Sequence, residues 1–164
     1  MAKVSKTEPI PAAAELVSWS SSLSVGIKLI DDQHKGLLDL VNDMLNHVIG
    51  DETAERAYFQ KVIQKTIQYV KIHFATEEKI MMATKFLGYS EHKKAHDTFA
   101  VTVVNNIRDF EAGKNFSLAN FTKFLKEWIL THIAVMDKQY FEYYKKIASR
   151  KANGKLSISS VDVR

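Results

Sequence analysis

The sequence predicts an all-α fold, an antiparallel up-down-up-down four-helix bundle preceded by an N-terminal arm. Three observations predict it. Apolar residues recur at helical spacing in four stretches. Short connections marked by Gly50, Gly88 and Gly113 separate those stretches. Histidines and carboxylates fall on or beside the same apolar stripes, where they are costly unless something pairs with them. Four amphipathic helices with short links are the pattern of an antiparallel bundle.

Residues 1–17 carry Pro9 and Pro11 without a sustained pattern and read as a flexible arm. The bundle domain is expected over 18–150 and a C-terminal tail over 151–164. Trp19–Ile30 is too serine-rich for a good helix, yet its apolar residues suit packing across a bundle end. Asp31 or Asp32 is the expected N-cap of the first helix, which places Leu37, Leu38, Val41, Met44, Leu45 and Val48 on one face and closes at Gly50. His34 lies on that face, one turn before Leu37 and Leu38.

The second helix is expected to start after Asp51 and run to about Thr84, with Phe59, Val62, Ile63, Val70, His73, Glu77 and Ile80 or Met81 inward. The third, from about Ser90 to Ala112, aligns His92, His96, Phe99, Val103, Ile107 and Phe110. Ser117 caps the fourth, which turns Phe121, Leu125, Trp128, Ile129, His132, Met136 and Tyr140 inward and ends before Gly154. There is no internal repeat and no low-complexity segment.

Composition sets bounds on function. A chain of 164 residues, 46% hydrophobic and 26% charged, is long enough to bury one core. Its formal charge of +4 is mild, and the basic stretch Lys145, Lys146, Arg150, Lys151, Lys155 is too sparse for a nucleic-acid face. It reads as a solvated helix end whose cations complement the helix dipole. No apolar run approaches the ~18 residues of a membrane span, and the N-terminus lacks the apolar core of a secretory signal. A soluble cytoplasmic protein is the expectation.

The chemistry lies in His34, His73-x-x-x-Glu77, His92-x-x-x-His96 and His132-x-x-x-x-Asp137. Imidazole and carboxylate suit iron, zinc, copper or nickel, and the absence of cysteine removes thiolates. These donors are too many for one tetrahedral zinc. They suit two octahedral metals sharing bridges, which points toward a diiron site. Each piece alone is weak, and the conjunction across four helices carries the reading. On a regular helix His132 and Asp137 lie about 140° apart, so a single π turn near Ala134 is expected to bring both to one centre. His47 falls about 140° from His34 and is expected to point away.

The motifs Asp31-Asp32-Gln33-His34, His73-Phe74-x-x-Glu77-Glu78, Tyr89-x-x-His92-x-x-x-His96 and Trp128-x-x-x-His132-x-x-x-x-Asp137 resemble the hemerythrins, particularly the bacterial type. Val25-Gly26-Ile27 is similar too, and the likeness spans about residues 17–148. The resemblance implies two nonheme iron ions, cycling between Fe2+ and Fe3+, with a bridging oxo or hydroxo group. It implies His92, His96 and His132 on one iron, His34 and His73 on the other, and Glu77 and Asp137 bridging. Ile129 stands where many members have leucine, a difference that bears on ligand escape and autoxidation.

With those bridges and one shared oxygen, all but one position on two octahedral irons is filled, and the open one is on the two-histidine side. O2 is the expected ligand. Electron transfer from both irons, with the bridge's proton moving to the bound ligand, leaves the net charge of a buried pocket unchanged. That favours reversible binding over O–O cleavage, and the chain also lacks the Glu-x-x-His of carboxylate-rich diiron bundles. The leading expectation is therefore an O2 carrier, in binding, storage or delivery, rather than an enzyme. Other classes are an O2, nitric oxide or redox sensor and a diiron peroxidase or oxidase. Gln33, Glu78 and Tyr140 are near the donors in sequence and are candidates to support them.

Overall fold

The computed structural model describes residues 16–114 and 116–152. Helix α1 spans Lys28–Asn46, α2 Glu52–Ala83 and α3 Tyr89–Glu111. Helix α4, Leu118–His132, passes through a π-helical turn at Ile133–Asp137 into α5, Lys138–Ala152. These last three segments form one rod, so the architecture is a bundle of four rods, with no strand among the described residues. A short 3-10 turn at Ser21–Leu23 precedes α1. The expected arm over 1–17 and tail over 151–164 lie almost wholly outside the described residues.

The ends of the rods follow from local chemistry. Asp51 accepts a hydrogen bond from the Ala54 amide at 3.0 Å, and Ser117 accepts one from the Asn120 amide at 3.2 Å, so both are N-caps. After α3, Gly113 takes a positive φ of 69°, while Gly113 N–H bonds Phe110 O and Lys114 N–H bonds Asp109 O. That paired closure is a Schellman motif. The same closure ends α2, where Lys85 at φ 52° holds the position usually given to glycine.

The start of α1 differs from expectation. The helix begins at Lys28, not beyond Asp31 or Asp32. Asp31 caps the preceding turn instead, accepting from Ser24 Oγ at 2.6 Å and from the Val25 amide at 2.8 Å. With Gly26 turning the chain at φ 79°, the helix gains more than a full turn. Its other end falls short of Gly50, closing at His47.

The core divides into two apolar clusters with a polar layer between them. The larger contains Leu37, Val41, Val70, Phe99, Leu125 and Ile129, and the smaller contains Val25, Ile30, Met81, Tyr140 and Phe141. Along α1, His34 falls between Ile30 and Leu37. Along α2, His73 and Glu77 fall between Val70 and Met81. Along the last rod, His132 and Asp137 fall between Ile129 and Tyr140. The expected inward residues of α3 are all buried, whereas Trp128 and Met136 on the last rod are half-buried. No helix of the described residues is long and apolar enough to cross a membrane.

Gly36 sets the approach of α1 to α2. A Cβ there would lie 2.0 Å from Tyr69 Oη, and Tyr69 Oη donates to Gln33 O at 2.8 Å. In an exposed helix Gly→Ala usually stabilises by about 1 kcal/mol. Here Gly36→Ala is expected to lower the thermal midpoint, because the phenol must leave its bond. A thermal melt at or above the wild-type midpoint would contradict that packing.

Candidate metal centre

All of the expected donors converge in the polar layer. His34, Glu77 and Asp137 have no exposed surface, and His73, His92, His96 and His132 are buried. Donor atoms of Glu77, His92, His96 and His132 lie within 4.8 Å of one another, as do those of His34, His73, Glu77 and Asp137. Glu77 belongs to both sets. Asp137 also spans them: Oδ1 lies 3.2 Å from His92 Nε2 and 3.1 Å from His132 Nε2, while Oδ2 lies 3.1 Å from His34 Nε2.

The π turn makes this possible. With i→i+5 bonding, residues five apart come back to nearly one face, so His132 and Asp137 meet where a regular helix would splay them. His47, in contrast, points outward and stacks on Tyr58 at 3.6 Å.

The donors suit metal cations on the evidence of their own unmet bonding. All four carboxylate oxygens of Glu77 and Asp137 are buried without a hydrogen-bond partner, as are both nitrogens of His34. Leaving such groups unpaired costs several kcal/mol in aggregate, roughly 1–3 for each. His132 Nε2 lies 3.0 Å from both His96 Nε2 and His92 Nε2. A hydrogen bond serves one such pair at a time, whereas a cation serves all three nitrogens.

Partners across the bundle orient the imidazoles. His73 Nδ1 donates to Gln33 Oε1 at 3.1 Å, and Gln33 Nε2 in turn donates to Thr76 Oγ1 at 3.4 Å. His96 Nδ1 donates to Glu78 Oε1 at 3.2 Å, and Lys93 Nζ lies 3.8 Å from Glu78. Because an amide or carboxylate oxygen can only accept here, each Nδ1 holds the proton and each Nε2 turns a lone pair to the centre. Two of the three candidate supports named from the sequence thus have defined partners. Tyr140 does not: its hydroxyl is buried without a partner, and burial, followed by the charge of Glu77, keeps the phenol protonated.

Flat aromatic contacts complete the site. Phe74 stacks on His96 at 3.7 Å with 3° between planes, and Trp128 stacks on His132 at 4.2 Å with 14°. Both residues stand in the sequence motifs, but sequence reading gave them no role. The signal for Trp128 is its position one helical turn before His132, on the same face.

Burial without metal displaces the titrations. Burial, reinforced by Asp137, pushes Glu77 up to about 8. For His92 burial acts downward, but the close negative charge of Asp137 and Glu77 prevails and raises it to about 9. Burial and then His34 hold His73 down at about 3. Asp137 lies well below the carboxylate range, since burial is outweighed by His132, His34 and His92. At neutral pH the metal-free site therefore holds protons on Glu77 and His92 that a cation must displace. Iron uptake is expected to release protons and to weaken about tenfold per proton for each pH unit below about 7. Calorimetry in buffers of differing ionisation enthalpy checks this, and uptake independent of pH between 6 and 8 would contradict it.

Four helical rods around two histidine–carboxylate sets define a metal-binding bundle. The family model for the hemerythrin HHE cation binding domain matches residues 25–144. The bacteriohemerythrin of Stenotrophomonas maltophilia is 30% identical over 131 residues, covering 79% of this chain and 82% of that protein. The myohemerythrin of Sipunculus nudus is 30% identical over 122 residues, covering 74% and 88%. A crystal structure of wild-type hemerythrin superposes with a TM-score of 0.70 at 28% identity, over 78% of this chain and 97% of that one. The chain belongs to the hemerythrin family.

Proposed function

We propose that this protein is a nonheme diiron protein that binds O2 reversibly, for storage or delivery. In this reading His92, His96 and His132 hold one iron, His34 and His73 hold the other, and Glu77 and Asp137 join them. The observation that carries it is the sharing of buried, hydrogen-bond-free carboxylates between two imidazole sets. Two iron ions bound there would supply the electrons that O2 takes up and returns.

The chain's residues supply the rest. The His34–His73 side has one imidazole fewer, so a small ligand has its room there. Burial between two apolar clusters excludes bulk water and limits loss of the ligand as a reduced, protonated product. Gln33 and Glu78 fix the imidazole tautomers, and the stacked Phe74 and Trp128 restrict rotation of two rings. Among the described residues no carboxylate beyond Glu77 and Asp137 enters either donor set, and that sparing use of acid suits binding more than turnover.

An oxygen electrode separates the two outcomes. Anaerobically reduced, iron-loaded protein is expected to take up O2 stoichiometrically, return it on argon sparging, and repeat the cycle. Continuous O2 or peroxide consumption in the presence of a reductant would replace binding with catalysis.

A further inference from the structure

One end of the bundle gathers the start of α1, the end of α2, the start of α3 and the end of α5. There Tyr143 of α5 donates to Thr84 O at 3.2 Å and Lys85 O at 3.3 Å, and Phe86 packs on Tyr140 and Tyr143. Apolar side chains stand out from this end. Leu87 is 93% exposed in the α2–α3 connection, Met82 56% exposed on the last turn of α2, and Leu29 44% exposed on the first turn of α1.

Basic groups stand at the same end of the bundle. Lys85, Lys146 and Arg150 are exposed, and none of the three makes an ion pair among the described residues. Of the acids at this end, Asp32 is engaged by Lys28 and Glu142 by Lys145, while Asp31 is held by the neutral donors of Ser24 and Val25, which leaves Asp31 and Glu91 as countercharges. Lys85 is the telling residue. It sits at φ 52°, where glycine closes a helix at lower cost, so a cation stands at a strained position two residues before Leu87.

We propose that this end docks on a bilayer surface bearing anionic lipid, with Leu87 entering the headgroup layer and Lys85, Lys146 and Arg150 meeting lipid phosphates. Apolar tips on separate elements suit a fluid surface, which takes them without shape complementarity. An apolar tip and a basic cluster are each weak alone, and surface binding draws on both. The proposal is independent of what the metal centre binds.

Flotation of the full, iron-loaded chain with vesicles tests it, comparing phosphatidylcholine alone with a mixture containing about one-third phosphatidylglycerol. Binding to the mixture alone, weakening as salt rises, is expected. Leu87→Asp is expected to reduce it about tenfold or more. Lys85→Gly is expected to raise the thermal midpoint yet weaken binding about fivefold, a combination that a purely structural role for Lys85 does not produce. Leu87→Trp is expected to show blue-shifted emission on anionic vesicles, beyond any change in the wild-type tryptophans. Absence of binding to the anionic vesicles would overturn the proposal, as would binding unaffected by Leu87→Asp. Equal capture by soluble polyglutamate, without a blue shift, would assign the face to an acidic macromolecule instead.

Discussion

Glu77→Gln is expected to abolish tight binding of both irons while stabilising the metal-free protein at alkaline pH. Glu77 is common to the two donor sets, and its Oε2 lies 3.3 Å from His96 Nε2 and 3.7 Å from His73 Nε2, while Oε1 lies 3.9 Å from His34 Nε2. The amide keeps the shape and removes the anionic donor from both sides. Iron per chain, measured after gel filtration, should fall from two toward zero. Retention of two irons would sink the shared-bridge assignment.

The stability effect has the opposite sign, which separates metal loss from misfolding. Burial raises Glu77 from its ordinary 4.5 to about 8 in the folded chain. A raised value means that the associated stability is present below pH 4.5 and lost as pH rises through about 8. The glutamine cannot ionise, so that loss disappears, by an amount on the order of a few kcal/mol near pH 9. His73 works the other way: its value is depressed to about 3, so stability present above 6.5 is lost as pH falls. That acid limb should survive in Glu77→Gln, and chemical denaturation across pH would show it.

The second large effect is expected from Gln33→Leu. His73 Nδ1 would lose its acceptor at 3.1 Å, and with it the bond that selects the tautomer and aims the ring. Removing such a partner typically lowers metal affinity by about 10–100-fold. The loss should fall on the His34–His73 side, so one iron is lost before the other in a chelator competition. Glu78→Leu should show the reverse order, because Glu78 holds His96. Identical release curves for the two variants would contradict the side-specific orientation. Neither substitution removes a residue of the donor sets, so any change in iron release reports orientation.

Much of this was legible in the residues. The four apolar stripes gave the rods, and the inward stripe of α3 emerged residue for residue. The five-residue step from His132 to Asp137 forced a widened turn, and Ile133–Asp137 is π-helical. What escaped reading was set by packing between helices. The Gln33–His73 bond joins residues 40 apart and the His96–Glu78 bond residues 18 apart. Which ring nitrogen meets which oxygen depends on the rotation of each rod, and no single stripe carries that information. The start of α1 escaped for a local reason. Asp31 has the chemistry of an N-cap, but its carboxylate reached back to Ser24 and Val25 and left the helix to begin earlier. Trp128 belongs to the predicted inward stripe and Phe74 stands only within a motif, and nothing short of the assembled bundle lays them flat on His132 and His96.

The most direct test of the diiron O2-binding account is an anaerobic optical titration of the iron-loaded, reduced protein with O2, with iron quantified in the same sample. Two irons per chain and a ligand-to-metal charge-transfer band that grows with O2, vanishes on deoxygenation and returns on readmission are predicted. Irreversible conversion to the diferric form on the first addition, with no band that can be removed by deoxygenation, would contradict it.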